Sequence, residues 1–343
     1  MRKFIFSLFL LCTFTFELCT SAGCSSSTGP VTSTAGRRDY TWTVDTIKVP
    51  FTYFYKLWGS GPSDVWSIGP GGGLDKTIWH FDGNNWSTDG ISRGISPLSI
   101  YGFSSSNVWL SGYEGEIWHF DGSSWIRNYK FQKQNYYLGF ESIWGDSPNN
   151  IYAIGFADSG SARRGIILNY NGSSWTEKQI PYFSYDFFQI KGEANNYYLN
   201  GLMYDSTGKY INSVFQYNSD GIKIIYTGEQ TAQSWSYIQN IAGTLYFVLG
   251  NKIYTYNNHN FKLLLDINES NFGAQIYGRS EKDIILKMID GLGHYNGSDI
   301  EYIYKFKTNN ISIVDGVIFD KDIFILAIDF NSSQNLLIHG RLN

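Results

Sequence analysis

Short runs in which hydrophobic and polar residues alternate dominate the chain from residue 39 onward. Residues 64–68 (DVWSI) and 78–81 (IWHF) are typical, and they are rich in the aromatic and β-branched residues that favour strands. Gly, Asn, Asp and Ser separate the runs, as expected at turns. No run has the 3.6-residue apolar period of a helix. The pattern therefore predicts an all-β protein.

Two sequence phrases recur along this pattern. The first is an apolar pair and a glycine, followed by Asp or Asn and two apolar residues; it occurs at residues 57–66, 100–109 and 143–152, and more weakly at 190–198 and 276–285. The second is an aromatic residue, Asp-Gly or Asn-Gly, and a tryptophan three residues after the glycine; it occurs at 81–86, 120–125 and 170–175, with decayed copies starting at Tyr217, Tyr256 and Tyr295. The chain is thus an internal repeat.

The spacing of the repeat indicates a propeller. The glycines of the first phrase lie 43, 43 and 47 residues apart between residues 59 and 192, and the next clear copy follows 86 residues later. Propeller blades and helical repeats both have periods of this length, but the β-rich content excludes helical repeats. The Asp-Gly or Asn-Gly pair suits a hairpin between the third and fourth strands of a four-stranded blade.

Counting the units predicts seven blades. Six units start near Tyr53, Ile95, Phe140, Asp186, Tyr237 and Gly273, and a seventh ends the chain without a fourth strand. The segment 40–49 (YTWTVDTIKV) is a strand without a blade, and its Trp42 resembles the tryptophans that open other fourth strands. We expect this segment to close the seventh blade, which removes an unpaired edge. Six or eight blades are the alternatives.

The repeat carries a family resemblance. The pattern I-W-G, D-V-W and I-x-H-F-D-G-x-x-W covers nearly all of residues 40–343 and resembles bacterial exported propellers related to kelch and Asp-box (BNR-like) repeats. The resemblance implies the propeller fold but no activity, since propellers host many. Asp82 and Asp121 are expected to form turns, as the Asp box does, and the arginine cluster of sialidases is not apparent.

The first 23 residues predict an export signal. Arg2 and Lys3 precede an apolar stretch at 4–16 that is too short to span a membrane. The ending Ala22-Gly23-Cys24 resembles the lipobox of bacterial lipoproteins, which implies lipidation of Cys24. Ordinary signal-peptidase cleavage after Ala22 is the alternative. Residues 24–38 are predicted to be a flexible tether and 39–343 the propeller.

The composition of the chain limits the classes of partner that the protein is expected to bind. The chain has 343 residues, a net charge of −4, 16% charged residues and 18% aromatic residues, which argues against disorder and against nucleic acid as a partner. We expect a monomer that contacts the membrane only through the lipid anchor. No motif indicates a cofactor or a metal. His80, His119 and His294 recur at one blade position and should be structural, as should Trp58, Trp66, Trp109 and Trp144.

Residues that do not repeat are the better functional candidates. Three expanded loops are predicted on one face of blades two to four, at 127–137, 156–165 and 203–210. They form a predicted basic, aromatic ligand-binding patch: Arg127, Tyr129, Lys130, Lys133, Tyr136, Tyr137, Arg163, Arg164, Tyr204, Lys209 and Tyr210. Aromatic faces stack on sugars or peptides, and arginine binds carboxylates. Solvated loops without a ligand are the alternative interpretation.

These features favour a noncatalytic binding or scaffold protein, anchored by lipid in the bacterial cell envelope, that recognises a glycan or a protein. The outer membrane or cell surface is the favoured location, and a secreted or periplasmic protein is the alternative. A second hypothesis is an exported carbohydrate-active enzyme, of the glycosidase or lyase class. Its acid/base pair is not identified, since Glu114, Glu116, Glu141 and Asp146 show no pairing by spacing. A third is a structural part of an envelope complex.

Overall fold

The structure is a computed structural model that describes residues 34–47, 49, 53–71, 77–229 and 235–343. These residues form 28 strands in seven four-stranded antiparallel sheets, and the described part of the chain contains no helix. Accordingly, no helix that could cross a bilayer is found there. The all-β, seven-bladed propeller predicted from the repeat is confirmed.

Each blade is a meander whose first strand lies innermost. Blade I contains β2 (Lys56–Gly61), β3 (Asp64–Ile68), β4 (Ile78–Phe81) and β5 (Trp86–Ser87). Blade II contains β6 (Pro97–Ser104), β7 (Asn107–Gly112), β8 (Glu116–Phe120) and β9 (Trp125–Lys130). Blade III contains β10 (Tyr137–Ser147), β11 (Asn150–Asp158), β12 (Arg163–Tyr170) and β13 (Trp175–Glu177).

The remaining blades follow the same order. Blade IV contains β14 (Asp186–Glu193), β15 (Asn196–Tyr204), β16 (Tyr210–Asn218) and β17 (Gly221–Glu229). Blade V contains β18 (Ser236–Ile241), β19 (Thr244–Leu249), β20 (Lys252–Asn257) and β21 (Asn260–Asp266). Blade VI contains β22 (Phe272–Ser280), β23 (Asp283–Met288), β24 (Gly291–Tyr295) and β25 (Ile300–Lys305).

Blade VII joins the two ends of the described chain. It contains β26 (Ile311–Ile318), β27 (Asp322–Asp329), β28 (Gln334–Leu342) and, as its outer strand, β1 (Tyr40–Ile47). Trp42 pairs with Gly340 in the register in which Trp86 pairs with Phe81 in blade I. The predicted closure of the ring by the N-terminal strand is therefore confirmed, including the role of its tryptophan.

The repeated phrases encode the turns and the packing between blades. Asp82 Oδ1 accepts hydrogen bonds from the backbone N–H groups of Asn84 and Asn85, both at 2.8 Å, so it forms the predicted turn between β4 and β5. Asp121 forms the same turn in blade II, where the hydrogen bond from the Ser123 hydroxyl and those from the backbone N–H groups of Ser124 and Ser123 lower the pKa of its carboxyl to about 2. The turn-forming role of both aspartates is confirmed.

The glycine of the first phrase leaves room for an aromatic ring of the preceding blade. A Cβ atom at Gly102 would lie 2.6 Å from the indole of Trp58, and one at Gly192 would lie 2.5 Å from the indole of Trp144. Trp66 and Trp109 likewise contact aromatic rings of the next blade, Trp125 and Trp175. The predicted packing role of the four repeated tryptophans is confirmed.

A second repeated device is a hydrogen bond between the second and third strands. His80 Nε2 lies 2.7 Å from Asp64 Oδ1, and His294 Nε2 lies 2.9 Å from Asp283 Oδ1. Equivalent contacts join His119 to Asn107, Asn169 to Asn150, Gln216 to Asn196 and His339 to Asp322. The predicted histidines thus each bind a partner of their own blade, which is a structural role.

The polarity of the meander defines two faces. The connections between second and third strands and those between blades lie on one face, here called the top face; the other hairpins lie on the bottom face. The described chain starts on the bottom face, where the Gly36 N–H donates to Lys282 O at 2.8 Å and Arg38 binds Asp299 of blade VI. Residues 36–38, predicted as the end of the tether, are thus packed on the propeller.

Candidate functional site

The predicted ligand-binding patch lies on the top face of blades II to IV, but less of it is loop than expected. Arg127, Tyr129 and Lys130 belong to β9, while the connecting loops span only residues 131–136, 159–162 and 205–209. Lys133, Tyr136 and Lys209 lie in these loops. The remaining predicted residues lie within strands, since β10 begins at Tyr137 and the two later hairpins continue to pair up to Asp158–Arg163 and Tyr204–Tyr210. The three-loop prediction is wrong in its bounds and right in its place on the chain.

An open pocket of about 470 Å³ forms between β9 and β10. It is lined by Lys130, Lys133, Tyr136 and Tyr137 of the predicted set, together with Glu114. The structure therefore brings four of the eleven predicted residues to one concave site. Such a pocket, with a small number of polar groups around apolar faces, is suited to part of a peptide or sugar.

The cations of the patch are paired with carboxylates, and their spacing along the chain did not indicate this pairing. The buried carboxylate of Glu116 accepts hydrogen bonds from Lys130 at 3.2 Å and Arg127 at 3.3 Å. The hydrogen bond from Lys130 to Glu116 raises the pKa of the lysine ammonium. The expected excess of positive charge is therefore absent around β8 and β9.

Glu177 forms ion pairs with two further cations, across two blades. Its carboxylate lies 2.9 Å from Lys133 Nζ and 3.1 Å from Arg164 Nη2. Both cations also lie near the ring of Tyr136, at 5.9 and 6.0 Å from its centre. Tyr136 and Tyr129 pack on the apolar core of blades II and III, so they support the site from below.

The exposed part of the patch consists of tyrosines arranged around Arg163. The Arg163 guanidinium lies 3.6 Å from the ring centre of Phe156, and its Nε lies 2.5 Å from Asp186 Oδ1. Tyr137 packs on Phe156 at 6.1 Å and stacks with Tyr113 at 5.8 Å. Tyr113 and Phe156 were missed by sequence reasoning, because each is one aromatic residue among many.

A second exposed pair lies on the hairpin tip of blade IV. The rings of Tyr204 and Tyr210 lie 4.2 Å apart, and their hydroxyl groups hydrogen-bond to each other. The Tyr204 side chain is 61% exposed and that of Tyr137 is 52% exposed. Lys209, the last predicted residue, lies beside them, with its backbone N–H bonded to Asp205. Exposed, ordered aromatic pairs of this kind offer flat faces to a ligand.

One carboxyl group near this site has an unusual pKa. Glu141 is the extra residue of a bulge in β10, between Phe140 and Ser142. Burial and the neighbouring Asp186 raise the pKa of the Glu141 carboxyl to about 7, against the effects of Arg163 and Lys56. Among the other acids considered from the sequence, Glu116 is held by cations and Asp146 accepts hydrogen bonds from Asn150 and Tyr197.

The innermost strands carry a polar ring that the sequence analysis overlooked. Each inner strand carries one such residue, directly before the first phrase or at the equivalent register position. The seven residues are here called the axial ring: Lys56, Ser99, Ser142, Gln189, Tyr237, Gln275 and Asp315. Ser99 Oγ accepts a hydrogen bond from Ile143 N at 3.0 Å, and Asp315 Oδ2 accepts one from Leu57 N at 3.0 Å. These bonds join neighbouring inner strands that do not pair as a sheet. Alignment of the repeats would have revealed the ring.

Within the described residues, no group of three or more His, Cys, Asp or Glu side chains could hold a metal ion.

The lipidation residue predicted from the sequence, Cys24, lies outside the described residues, as does the whole predicted signal at 1–23.

Comparison with known proteins identifies the fold alone. No family model matches the chain, and no curated protein matches it. Among solved structures, YCF48 with a bound D1 peptide has 16% identity and a TM-score of 0.57, covering 89% of this chain and 99% of its own. The propeller domain of Cps50 (Swd1) from Myceliophteria thermophila has 8% identity and a TM-score of 0.58, covering 86% and 99%. The WD40 propeller of Doa1 has 11% identity and a TM-score of 0.57, covering 87% and 97%. The chain is thus similar to several β-propellers over nearly their full lengths.

Proposed function

We propose that this protein is a noncatalytic recognition module whose top face binds a protein segment or a glycan. The observation that carries the proposal is the set of exposed tyrosines on blades III and IV, namely Tyr137, which stacks on the partly buried Tyr113 of blade II, and the mutually packed Tyr204 and Tyr210. Rigid aromatic pairs bind extended peptides and sugar rings with little loss of conformational entropy. Paired charges around them supply directional hydrogen bonds without a strong net field.

A peptide ligand has additional support from one structural neighbour. YCF48, a propeller of similar fold, was solved with a D1 peptide bound. The open pocket of about 470 Å³ beside Lys133 would accept one or two side chains of such a segment. The same tyrosines suit a glycan, so both ligand classes belong in the test.

The proposal also places the protein in the cell envelope. Export through residues 1–23 and lipidation of Cys24 rest on the sequence pattern. The described chain starts on the bottom face, beside Lys282 of blade VI. Incorporation of labelled palmitate in cells, lost in Cys24→Ser, tests the anchor, and an inhibitor of lipoprotein signal peptidase should leave a labelled precursor that still carries residues 1–23.

Binding arrays test the recognition role. The purified protein is screened against glycans, peptidoglycan fragments and envelope-protein peptides, beside the variants Tyr137→Ser and Tyr204→Ser. The control is Ile224→Ser, which removes an exposed apolar side chain from an outer strand. Loss of binding in the tyrosine variants alone supports the proposal. Equal binding by all four proteins would exclude the tyrosines as the site.

A second candidate function, glycoside cleavage, is favoured by one observation. The Glu141 carboxyl, whose pKa is raised to about 7, would be partly protonated at neutral pH, as a general acid requires, and Asp186 lies within its electrostatic range. Asp186, however, is held by Arg163. Activity on a panel of polysaccharides that disappears in Glu141→Gln would favour this function over pure recognition.

A further inference from the structure

The centre of the propeller contains a cavity that is separate from the tyrosines of the top face. A channel of about 230 Å³ runs between the innermost strands and is lined by Lys56, Lys191, Tyr237 and Asp315. A second pocket, of about 390 Å³, shares Phe188 and Tyr237 with it and adds the side chain of Lys287. The two spaces therefore adjoin each other at Phe188 and Tyr237, and their linings include lysines from blades I, IV and VI.

Positive charge exceeds negative charge in this cavity. Within the described part of the chain, neither Lys191 nor Lys287 forms a salt bridge. Asp315 attracts both ammonium groups, but Lys56 repels both. Asp315 already accepts the hydrogen bond from Leu57 N. Lys191 and Lys287 therefore share one aspartate, and Lys56 adds a third positive charge.

Partial burial makes this excess of positive charge energetically unfavourable. Desolvation lowers the pKa of the Lys191 ammonium to about 8 and also lowers the pKa of Lys287. Lys191 remains largely protonated at neutral pH, and in a partly buried cavity its repulsion by Lys56 is stronger than it would be in water. Glu141, whose pKa is about 7, offsets Lys56 only in part. An anion in the cavity would remove this penalty.

We infer that the central channel binds a small carboxylate ligand between Lys56, Lys191 and Lys287. The volume suits a molecule of a few carbon atoms, and the excess of one to two positive charges matches a mono- or dicarboxylate. The amide and phenol groups of Gln275 and Tyr237 lie beside the lysines and can donate to carboxylate oxygens. Phe188 and Trp235 line the adjoining pocket and would accept an apolar part of the ligand. The site does not depend on the proposed top-face function.

Ligand titration of the purified protein tests the inference. Acetate, malonate, succinate and citrate are titrated calorimetrically at pH 7 and constant ionic strength, with phosphate, sulfate and chloride as competing anions. We expect at least one carboxylate to bind with a dissociation constant below about 1 mM and to raise the melting temperature with its concentration. Failure of every carboxylate to bind below about 10 mM, or an equal response to chloride, would overturn the inference.

Two variants locate the site. Lys191→Met and Lys287→Met keep the length of the side chain and remove the buried charge, so folding should be retained. Each is expected to weaken carboxylate binding at least tenfold. Lys223→Met, on the exposed outer strand β17, is the matched control and should bind as the unchanged protein does. Unchanged affinity in both channel variants would show that the anion binds elsewhere.

The pH dependence of the unchanged protein gives a readout that needs no variant. The titratable groups around the channel are Lys56, Glu141, Lys191, Tyr237, Tyr277, Lys287 and Asp315. Burial raises the pKa of both tyrosines, so they stay neutral. Ionisation of Glu141 and deprotonation of Lys191 both reduce the positive charge as pH rises. Affinity should therefore fall from pH 6 to pH 9, and constant affinity would contradict the proposal.

Discussion

At the scale of single residues, the repeated phrases record local physical constraints. Asp82 and Asp121 stand where a side-chain oxygen must accept two backbone N–H groups of a tight turn. Gly102 and Gly192 stand where an aromatic ring of the preceding blade leaves no space for a Cβ atom. Such constraints act the same way in each blade, which explains why they are visible in the sequence.

The glycine constraint predicts the effect of adding one methyl group. Gly192→Ala would bring its Cβ within 2.5 Å of Trp144, so we expect a loss of about 1–3 kcal/mol in the free energy of unfolding. Gly61→Ala, at a strand position with no atom within 4 Å, is the control and should change stability by less than about 1 kcal/mol. Chemical denaturation measures both, and equal effects would argue against packing as the reason for the glycine.

Lys191 predicts a pH-dependent contribution to stability. Its pKa is lowered in the folded protein, to about 8, so between pH 8 and its ordinary pKa the unfolded chain binds more protons. The free energy of unfolding contributed by this residue therefore rises as pH rises through that window. Lys191→Met should be more stable than the unchanged protein at pH 7 and should lose the rise, whereas Lys223→Met should keep it. Denaturation curves at pH 7, 8, 9 and 10 provide the test.

At the scale of strands and blades, the sequence predicted that β1 closes the ring, because β1 contains the tryptophan that opens the fourth strand in other blades. Trp42 occupies the register of Trp86, and it packs on Tyr304 of blade VI with ring centres 4.9 Å apart. The bulges at Glu141 and Phe188 were not predictable, since the inner strands β10 and β14 lack a strict alternation of polar and apolar residues whose phase an extra residue would visibly shift. The loop bounds were wrong for a related reason, because hairpin pairing continues through polar residues.

Deleting β1 should open the ring. Removal of residues 1–47 would expose the edge of β28 along its pairing from Asn335 to Leu342, with loss of the contact to Trp42. We expect the melting temperature to fall by at least about 5 °C and aggregation to increase. Removal of residues 1–33 is the control and should leave the transition unchanged, because residues 34–343 form one compact unit. Equal melting temperatures for the two truncations would refute closure by β1 as a source of stability.

At the scale of the whole molecule, residues of opposite charge that are distant in sequence form ion pairs. Lys133 and Glu177 are 44 positions apart in the chain but form an ion pair across the top face. Each cation of the basic patch expected from Lys130, Lys133, Arg163 and Arg164 is therefore paired with a carboxylate. The spacing of these cations along the chain predicted that they lie on one face, but it did not indicate which carboxylates lie opposite them.

Because the cations of the top face are paired with carboxylates, ligand binding there should depend only weakly on salt concentration. Whichever glycan or peptide the arrays identify, its dissociation constant should change less than about threefold between about 50 and 300 mM NaCl, because few unpaired charges are available for screening. A change above about tenfold would indicate a net electrostatic interaction and would favour the original expectation of a basic site. Calorimetric titration at several salt concentrations distinguishes the two.

The sequence by itself determined the all-β class, the seven blades, the closing strand and the structural roles of the repeated Trp, His and Asp residues. It could do so because turns, close approaches and register repeat with each blade. Only the tertiary structure decided which charges are paired and which tyrosines are exposed. It also placed Lys56, Lys191 and Lys287 around one channel. Those properties depend on distances between blades, and residues far apart in the chain carry no local record of their neighbours.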